Sequence, residues 1–344
     1  MSSRFVWIEG SENEFPIRIH CRIRLENGFQ IPPPVHHGSG RGDFRIGGIS
    51  MERLTSTQNP LIKELLLLQN RKGRQEAGCF LVEGVRLVRE AFRSGAPVVR
   101  LLADDGGMPV LSGLLQKYSG PEPIWVSSGI LEKLSDTKSP QGVMAVVRLP
   151  NAGNPSVRLA HTGAPMERLA HTGAPMAGIS PVLSFRRILV LERVQDPGNV
   201  GTMIRTADAC GFDAVVLSAD SADPWQPKVL RSTMGSIWHL SVTVADDLLP
   251  FVDGAPGAGL SAYAAHPRNA AACWDTQLAD HVMLVIGNEA AGISPEMLER
   301  VAGTVRIPME GLAESLNAAA AASILMYESL RQRRTSGIHA LTAE

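Results

Sequence analysis

Paired cysteines, a net charge and long apolar runs are all missing from this chain of 344 residues. The four cysteines lie far apart without a Cys-x-x-Cys pair, which argues against a disulfide framework and a zinc site. Lys and Arg total 33 against 34 Asp and Glu, so the net charge gives no sign of a nucleic-acid partner. No apolar run is long enough to cross a membrane, and the N-terminus lacks the basic-then-apolar order of a signal peptide. These absences predict a cytoplasmic protein without a metal or a membrane contact.

Several common catalytic and nucleotide-binding motifs are also absent. Gly287 and Gly292 have the spacing that begins a Walker A loop, but Ile293-Ser294 stands where Lys must be followed by Ser or Thr. Residues 198–201 do not form the G-x-G-x-x-G fingerprint of dinucleotide-binding folds. The chain also has no G-x-S-x-G or H-E-x-x-H sequence, which argues against hydrolases and zinc proteases.

Residues 51–100 carry a local excess of positive charge. This segment has nine Lys and Arg side chains against five Glu. Such an excess permits an RNA-facing surface, and a solvated helix face explains it equally well.

Two segments do not have the pattern of a folded domain. Residues 1–50 contain three consecutive prolines and no sustained helical or strand period, so we expect an extension that is mostly disordered. Residues 151–185 contain the sequence Arg-Leu-Ala-His-Thr-Gly-Ala-Pro-Met twice, at 158–166 and 168–176, which indicates a flexible linker. Residues 335–344 are the predicted C-terminal tail.

Two α/β segments flank this linker. In residues 51–150, short apolar strands alternate with helices, which predicts a small α/β sandwich. In residues 186–334, apolar strands separated by helices predict a mostly parallel sheet buried on both faces. The last helix has Leu316, Ala320 and Ile324 on one face, which predicts either a core contact or a dimer interface.

Three stretches of the second α/β segment share one pattern, in which a strand ends at a Gly or Asn turn that leads into a helix. They are Asn199-Val200-Gly201 with Arg205, Gly287-Asn288-Glu289 followed by Gly292, and Ile307-Pro308-Met309 followed by Ser315-Leu316-Asn317. A polar side chain beside the free backbone N–H groups of a helix start suits a binding site. The pattern predicts that the three turns converge on one ligand.

In order and content, these stretches resemble the three signature motifs of the SpoU/TrmH branch of the SPOUT methyltransferases, which are RNA ribose 2′-O-methyltransferases. Two upstream motifs resemble that family's N-terminal substrate-binding domain, which is similar to ribosomal protein L30e. These motifs are Ser56-x-x-Asn59-x-x-x-Lys63 and Phe80-x-x-Glu83-Gly84. The resemblance covers roughly residues 54–334. It implies a small L30e-like α/β domain followed by an α/β trefoil-knot domain with a parallel sheet, and a homodimer with its active site at the subunit interface.

The resemblance also implies a cofactor and the residues around it. The cofactor is S-adenosyl-L-methionine, and its pocket falls by position on Gly287, Ile307 and Leu316, where mainly backbone groups hold the adenine and ribose. A glycine at a strand end suits this role because it lets the backbone approach a ligand closely. Ser315 either lines the pocket or caps the last helix.

Four residues are predicted at the reaction centre. The family places Arg205 at the ribose 2′-hydroxyl. Arginine is a poor base because its guanidinium stays protonated, so we expect it to bind phosphate or hydroxyl and to stabilise the developing alkoxide. Asn199 and Glu289 either tie the turns together or contact the substrate. Asn317 either bonds to the N-terminus of its helix or reaches the active site.

RNA contacts are predicted at Lys63, Arg74 and Arg231, the last of which lies in a stretch that resembles a family segment near the RNA path. The favoured substrate is 23S ribosomal RNA, because tRNA-specific relatives usually lack the L30e-like domain. A tRNA methyltransferase or an antibiotic-resistance rRNA methyltransferase is the alternative within this class. A catalytically silent RNA-binding protein with the same fold is the alternative from another class.

Overall fold

A computed structural model describes five stretches of the chain. These are residues 44–46, 49–51, 53–150, 185–267 and 270–341. Contacts divide the chain into two units between Glu52 and Arg53, and each unit is described by itself. In the first unit, strand β1 (Phe44–Ile46) pairs antiparallel with β2 (Ile49–Met51). Nearly all of the extension and the linker predicted above lies outside the described residues.

The second unit begins with a four-stranded sheet and five helices, here called the four-stranded half (residues 53–150). Its helices are α1 (Pro60–Leu67), α2 (Arg71–Ala77), α3 (Val85–Arg93), α4 (Met108–Leu115) and α5 (Ser128–Leu134). Its strands are β3 (Cys79–Glu83), β4 (Val98–Ala103), β5 (Pro123–Trp125) and β6 (Val143–Arg148). Their spatial order is β3-β6-β4-β5, and only the outer pair β4-β5 is parallel.

Local sequence explains where the first two helices begin and end. Asn59 and Asn70 cap α1 and α2, because the side-chain oxygen of each accepts a hydrogen bond from a free N–H group of the first turn, at 2.9 and 2.8 Å. Gly78 ends α2 with a φ of 62°, which glycine adopts without steric cost. Helix α2 is therefore short, and it holds Arg74 on its buried side.

The remainder of the second unit is a seven-stranded sheet with five helices, here called the seven-stranded half (residues 185–341). Its strands are β7 (Arg187–Leu191), β8 (Ala214–Ser218), β9 (Ser241–Ala245), β10 (Ser261–Ala265), β11 (Ala271–Ala272), β12 (Val282–Ile286) and β13 (Gly303–Arg306). Its helices are α6 (Pro197–Ala209), α7 (Pro227–Thr233), α8 (Leu249–Asp253), α9 (Pro295–Leu298) and α10 (Ala318–Leu341).

This sheet is parallel throughout, in the order β11-β13-β10-β12-β7-β8-β9. All residues of β12 and nearly all of β7 and β8 are buried, as expected for strands that are covered on both faces. The predicted α/β class with a parallel sheet is confirmed. Because the carboxyl ends of parallel strands meet at one edge, the loops after β7, β12 and β13 emerge on the same side of the sheet.

Helix α10 has one buried face and one exposed face. Ala322 and Leu325 are fully buried, whereas Leu316 just before the helix and Ile324 and Tyr327 within it are 38, 42 and 64% exposed. The predicted apolar stripe is therefore not part of the core of this chain, and the dimer interface stays a prediction. The helix also continues to residue 341, beyond the predicted end of the domain at 334. Among the described residues, no helix combines the length and the apolar character that a membrane crossing requires.

The two halves of the second unit pack together through an aromatic cluster. Phe80 of β3 is fully buried, and its ring centroid lies 5.0 Å from that of Trp225 and 5.8 Å from that of Trp238. Aromatic pairs at such distances add about 0.5–1.5 kcal/mol to the effect of area burial. The halves are thus in direct contact, although the sequence predicts a flexible linker between them.

A buried ion pair joins the same halves. The Arg74 side chain is almost completely buried, and its guanidinium donates to the Asp223 carboxylate at 2.5 and 3.0 Å. It also donates to the backbone carbonyls of Leu68 and Gln69, at 2.9 and 3.0 Å. A buried charge requires such complete pairing, because each unmet hydrogen bond would carry a desolvation cost.

Two further charged contacts cross the boundary between the halves. Arg231 of α7 donates to both carboxylate oxygens of Asp136, and it also lies 3.9 Å from Glu83. His239 lies between two carboxylates, with its Nδ1 2.8 Å from Asp208 and its Nε2 2.9 Å from Glu90. Asp208 belongs to α6, whereas Glu90 belongs to α3.

We predict that Arg74→Gln destabilises the protein strongly. The substitution leaves the Asp223 carboxylate without its partner at a buried position, and losing one member of a buried pair costs about 3–5 kcal/mol. Urea denaturation followed by tryptophan fluorescence measures the effect. The matched control is Lys72→Gln on the same helix, whose exposed pair with Glu76 contributes roughly 0.5 kcal/mol or less. Equal stability of the two variants would contradict a stabilising role of the buried ion pair between Arg74 and Asp223.

A second prediction concerns pH. Burial alone lowers the pKa of His239, but its hydrogen bonds to Glu90 and Asp208 outweigh burial and raise the pKa above the ordinary 6.5. A raised folded-state pKa contributes stability that is complete below 6.5 and is lost as the pH rises through the folded-state pKa. We therefore expect the urea midpoint of the wild type to fall more between about pH 6 and about pH 9 than that of His239→Gln. The same fall in both proteins would rule out this role.

Candidate active site

The first predicted turn lies at the carboxyl end of β7, where α6 begins. Asp196 caps the helix by accepting a hydrogen bond from the Asn199 N–H at 2.8 Å, and Pro197 fills the first position, where no N–H partner is needed. Gly201 allows α7 to pass closely, since a Cβ there would lie 2.3 Å from the Cβ of Ser232. These residues hold Asn199 at the start of α6, at the edge of the sheet where the loops emerge.

A chain of hydrogen bonds connects all three predicted turns. The Asn199 amide donates to the Glu289 carboxylate at 2.9 Å, and the Asn199 carbonyl oxygen accepts from the Asn317 amide at 3.0 Å. The Asn317 side-chain oxygen in turn accepts from the N–H groups of Ala319 and Ala320 at 2.9 and 3.2 Å. Because an ionised carboxylate only accepts hydrogen bonds, Glu289 orients both amides along this chain. The structure therefore brings the three turns together, and their convergence on one ligand stays a prediction.

Glu289 is held as an ionised group. Its carboxylate also accepts from the backbone N–H groups of Gln195 and Asp196, both at 3.2 Å. Partial burial alone raises the pKa of this carboxyl, but the hydrogen bonds from Asn199 and the backbone outweigh burial and lower the pKa below its usual 4.5. A carboxylate with a lowered pKa is a weak proton acceptor, so this geometry favours a role in tying the loops over a role as a base.

Asn317 is the N-cap of α10. Its side-chain oxygen accepts from the second and third N–H groups of the helix, as the hydrogen bonds above show, so it occupies the position for which Ser315 was the alternative. The Ser315 side chain is exposed ahead of the cap. Of the two predicted roles of Ser315, lining of the cofactor pocket is the one that stays a prediction.

The turn after β12 folds back on itself at Gly287. A Cβ at this position would lie 2.4 Å from the carbonyl carbon of Gly292, so only glycine fits without a shift of the backbone. Asn288 stabilises the turn by donating to the Arg193 carbonyl at 2.8 Å and accepting from the N–H groups of Ala290 and Ala291. The sequence analysis predicts that Gly287 contacts a ligand. Its close approach to Gly292 is a second reason why glycine is needed at this position.

Glu192 is a site residue that the sequence analysis missed. It directly follows β7, is largely buried, and accepts from the backbone N–H and the hydroxyl of Ser294 at 2.9 and 2.5 Å. It therefore fixes the far end of the turn that begins at Gly287. The available signal was an acidic residue directly after an apolar strand. In the described part of the chain, no cluster of three or more His, Cys, Asp or Glu side chains could hold a metal ion.

The loop that follows β13, residues 307–316, has properties that suit S-adenosyl-L-methionine. Between residues 307 and 316, no backbone-to-backbone hydrogen bond is found within the described residues, which leaves N–H and C=O groups available to an adenine edge. Ile307 is partly buried, whereas Leu316 and Leu312 are exposed, Leu312 completely. Free backbone groups beside apolar side chains fit a ligand with a flat base and polar edges.

Arg205 lies apart from the hydrogen-bond chain. It is exposed on α6, and within the described residues its guanidinium has no ion pair or hydrogen bond. The structure therefore brings together Asn199, Glu289 and Asn317 but leaves Arg205 available to a ligand. An uncommitted guanidinium suits the predicted contact with phosphate or hydroxyl.

The three predicted RNA-binding cations have different surroundings. Lys63 is exposed on α1. Arg74 and Arg231 are engaged with Asp223 and Asp136 across the boundary between the halves. These contacts favour a structural role for both arginines, and RNA contact by either stays a prediction.

Two families match the chain. Residues 186–327 match the SpoU rRNA Methylase family, and residues 59–145 match the MRM3-like substrate binding domain. These two ranges coincide with the seven-stranded and four-stranded halves.

Curated relatives cover most of the chain. A 23S rRNA (guanosine(2553)-2′-O)-methyltransferase, RlmP, of Bacillus subtilis is 34% identical over 80% of this chain and 98% of its own length. A 23S rRNA (uridine(2479)-2′-O)-methyltransferase of Streptomyces viridochromogenes is 32% identical over 82% of this chain and 92% of its own.

Solved structures agree with these sequence matches. The SpoU methyltransferase AviRb of Streptomyces viridochromogenes in complex with AdoMet has a TM-score of 0.64 at 30% identity, covering 80% of this chain and all of that one. An AdoMet-bound rRNA methyltransferase of Sinorhizobium meliloti has a TM-score of 0.65 at 26% identity, covering 82% of this chain and 98% of that one. The family predicted from the sequence is confirmed: this chain belongs to the SpoU/TrmH family of RNA 2′-O-methyltransferases.

Proposed function

We propose that this protein methylates a ribose 2′-hydroxyl of 23S ribosomal RNA, with S-adenosyl-L-methionine as methyl donor, in the cytoplasm. The observation that carries the proposal is the hydrogen-bond chain from Glu289 through Asn199 to Asn317, which joins all three signature motifs at one edge of the sheet. Relatives named for 2′-O-methylation of 23S rRNA, at more than 30% identity, support the substrate class. The AdoMet complexes of two structural neighbours support the cofactor.

The proposed site residues have two kinds of role in the reaction, namely ligand binding and stabilisation of charge. When bound, S-adenosyl-L-methionine supplies an activated methyl group, so the protein must align the acceptor oxygen and favour its negative charge. The backbone of residues 307–316 and of Gly287 holds the cofactor. Arg205 binds the phosphate or the hydroxyl of the acceptor and stabilises the developing alkoxide. Asn199 and Glu289 hold the loops in position, because the Glu289 carboxylate already accepts hydrogen bonds from several donors.

The working form is proposed to be a homodimer with the active site at the subunit interface. Leu312 lies within the loop assigned to the cofactor and Tyr327 lies on α10, and this chain leaves both large side chains exposed. Large exposed side chains next to a binding site suit burial by a second copy. The trefoil knot that the resemblance implies belongs to the same proposal.

We predict that Arg205→Ala slows methyl transfer strongly while the protein remains folded. Loss of a residue that stabilises charge in the transition state lowers the rate by about 10²–10³-fold. Tritiated methyl transfer to an unmodified 23S rRNA transcript measures the rate, and resistance to alkaline cleavage maps the modified position. Calorimetry is expected to give the wild-type affinity for S-adenosyl-L-methionine.

The matched control is Arg186→Ala, an exposed arginine just before β7, at the opposite edge of the sheet from the site. This variant should methylate the transcript at the wild-type rate. An active Arg205→Ala protein would refute the role of Arg205, whereas methylation of tRNA instead of the 23S transcript would redirect the substrate assignment to the tRNA alternative.

We also predict that Ile324→Glu combined with Tyr327→Glu separates the subunits. Two buried, unpaired carboxylates at an apolar contact strongly disfavour association. Light scattering coupled to gel filtration should give the 36.9 kDa mass of one chain for this variant and twice that mass for the wild type. Lys117→Glu, an exposed charge reversal in the four-stranded half, should remain dimeric. A wild type that elutes as a single chain would exclude the dimer.

A further inference from the structure

A cleft of about 610 Å³, with a mixed polar and apolar lining, lies where the two halves of the second unit meet. The four-stranded half contributes Gln69 and Arg71 to its lining, and the seven-stranded half contributes Gln226, Pro227 and Lys228. Ligand sites in proteins typically have volumes of roughly 300–1,000 Å³. The cleft is thus large enough for one or more nucleotides, and no role has been given to it above.

The charges around this cleft do not cancel. Arg74 and Asp223, which also line it, neutralise each other in the buried ion pair. Asp136 is neutralised by Arg231. For the two remaining cations, Arg71 and Lys228, no ion pair is found within the part of the chain that the structure describes. With three cations and two carboxylates in its lining, the cleft has a net charge of about one positive unit, and Arg71 and Lys228 favour an anionic ligand.

The uncharged lining suits a nucleobase. Gln69 donates its amide N–H to the Lys133 carbonyl at 2.8 Å, which orients the side chain, and its oxygen remains able to accept from a ligand. Gln226 adds a second amide, which can both donate to and accept from a base edge. Pro227, which is partly exposed, adds apolar surface of the kind that a flat ring covers.

The cleft also lies next to the helices that build the active site. Lys228 is in the first turn of α7, and α7 packs on α6 at Gly201, where a Cβ would lie 2.8 Å from the Val229 carbonyl oxygen. Asn199 stands in the first turn of α6. The cleft and the hydrogen-bond chain of the active site therefore involve two helices that pack directly on each other.

We propose that this cleft binds a segment of the RNA substrate other than the methylated nucleotide, with Arg71 and Lys228 on its phosphates and the two glutamines on a base. The proposal rests on the proposed function, since it assigns a second contact to the same RNA. It also explains why the halves are fixed by a buried ion pair, because each half provides one of the two cations.

The test compares Arg71→Gln and Lys228→Gln with Lys72→Gln in the full-length protein. The control removes a cation from the same helix as Arg71, but one that pairs with Glu76 and does not line the cleft. The probe is an unmodified 23S rRNA transcript, whose Kd is measured at several salt concentrations. Each cleft variant should bind roughly tenfold more weakly, and the slope of log K against log salt should fall by about 0.7 per lost phosphate contact. Lys72→Gln should match the wild type.

Two further measurements separate the possible outcomes. Calorimetry should give all variants the wild-type affinity for S-adenosyl-L-methionine, which shows that they are folded. Cleft variants that bind the transcript as tightly as Lys72→Gln, with methylation by the wild type intact, would overturn the cleft assignment alone. A wild type that neither binds nor methylates any RNA would overturn the proposed function as well. Displacement of the transcript by micromolar AMP would show that the cleft takes free nucleotides, and would also refute the RNA assignment.

Discussion

One ionised carboxylate holds together the edge of the sheet that carries the candidate active site. Glu289 accepts hydrogen bonds from two backbone N–H groups of the loop after β7 and from the amide of Asn199. Since that amide is then oriented, its oxygen must face Asn317, and Asn317 must turn its own oxygen toward the N-terminus of α10. Each turn depends on the other two, so the site is fixed as a unit.

The sequence is sufficient to predict that these turns meet, for a reason that lies in the sheet. Strands such as β7 and β12 are apolar almost from end to end, which indicates a parallel sheet, and parallel strands bring their carboxyl-end loops to one edge. What the pattern does not reveal is the choice between tying loops and doing chemistry. For Glu289 and Asn199 that choice depends on hydrogen-bond partners, which only the folded chain supplies, and their part in catalysis stays a prediction.

The contact between the halves could not be predicted from the sequence, for a different physical reason. Arg74 lies in a basic stretch that looks like an RNA-facing surface, but its partner Asp223 is 149 residues away. No period or motif connects residues at that separation. The aromatic packing of Phe80 on Trp225 and Trp238 is equally non-local. Some basic residues of a locally basic segment can therefore hold the two halves together, while neighbouring cations such as Arg71 stay available to a ligand.

The long sequence separations within the site have a consequence for the time at which the protein becomes active. Asn199 is joined to Glu289 across 90 residues and to Asn317 across 118. Contacts of this range form late, because much of the chain must be ordered before they gain anything. During synthesis, the N-terminal part can fold and pack well before the helix that carries Asn317 exists. A growing chain can therefore complete the four-stranded half before it can complete the hydrogen-bond chain that joins the three turns.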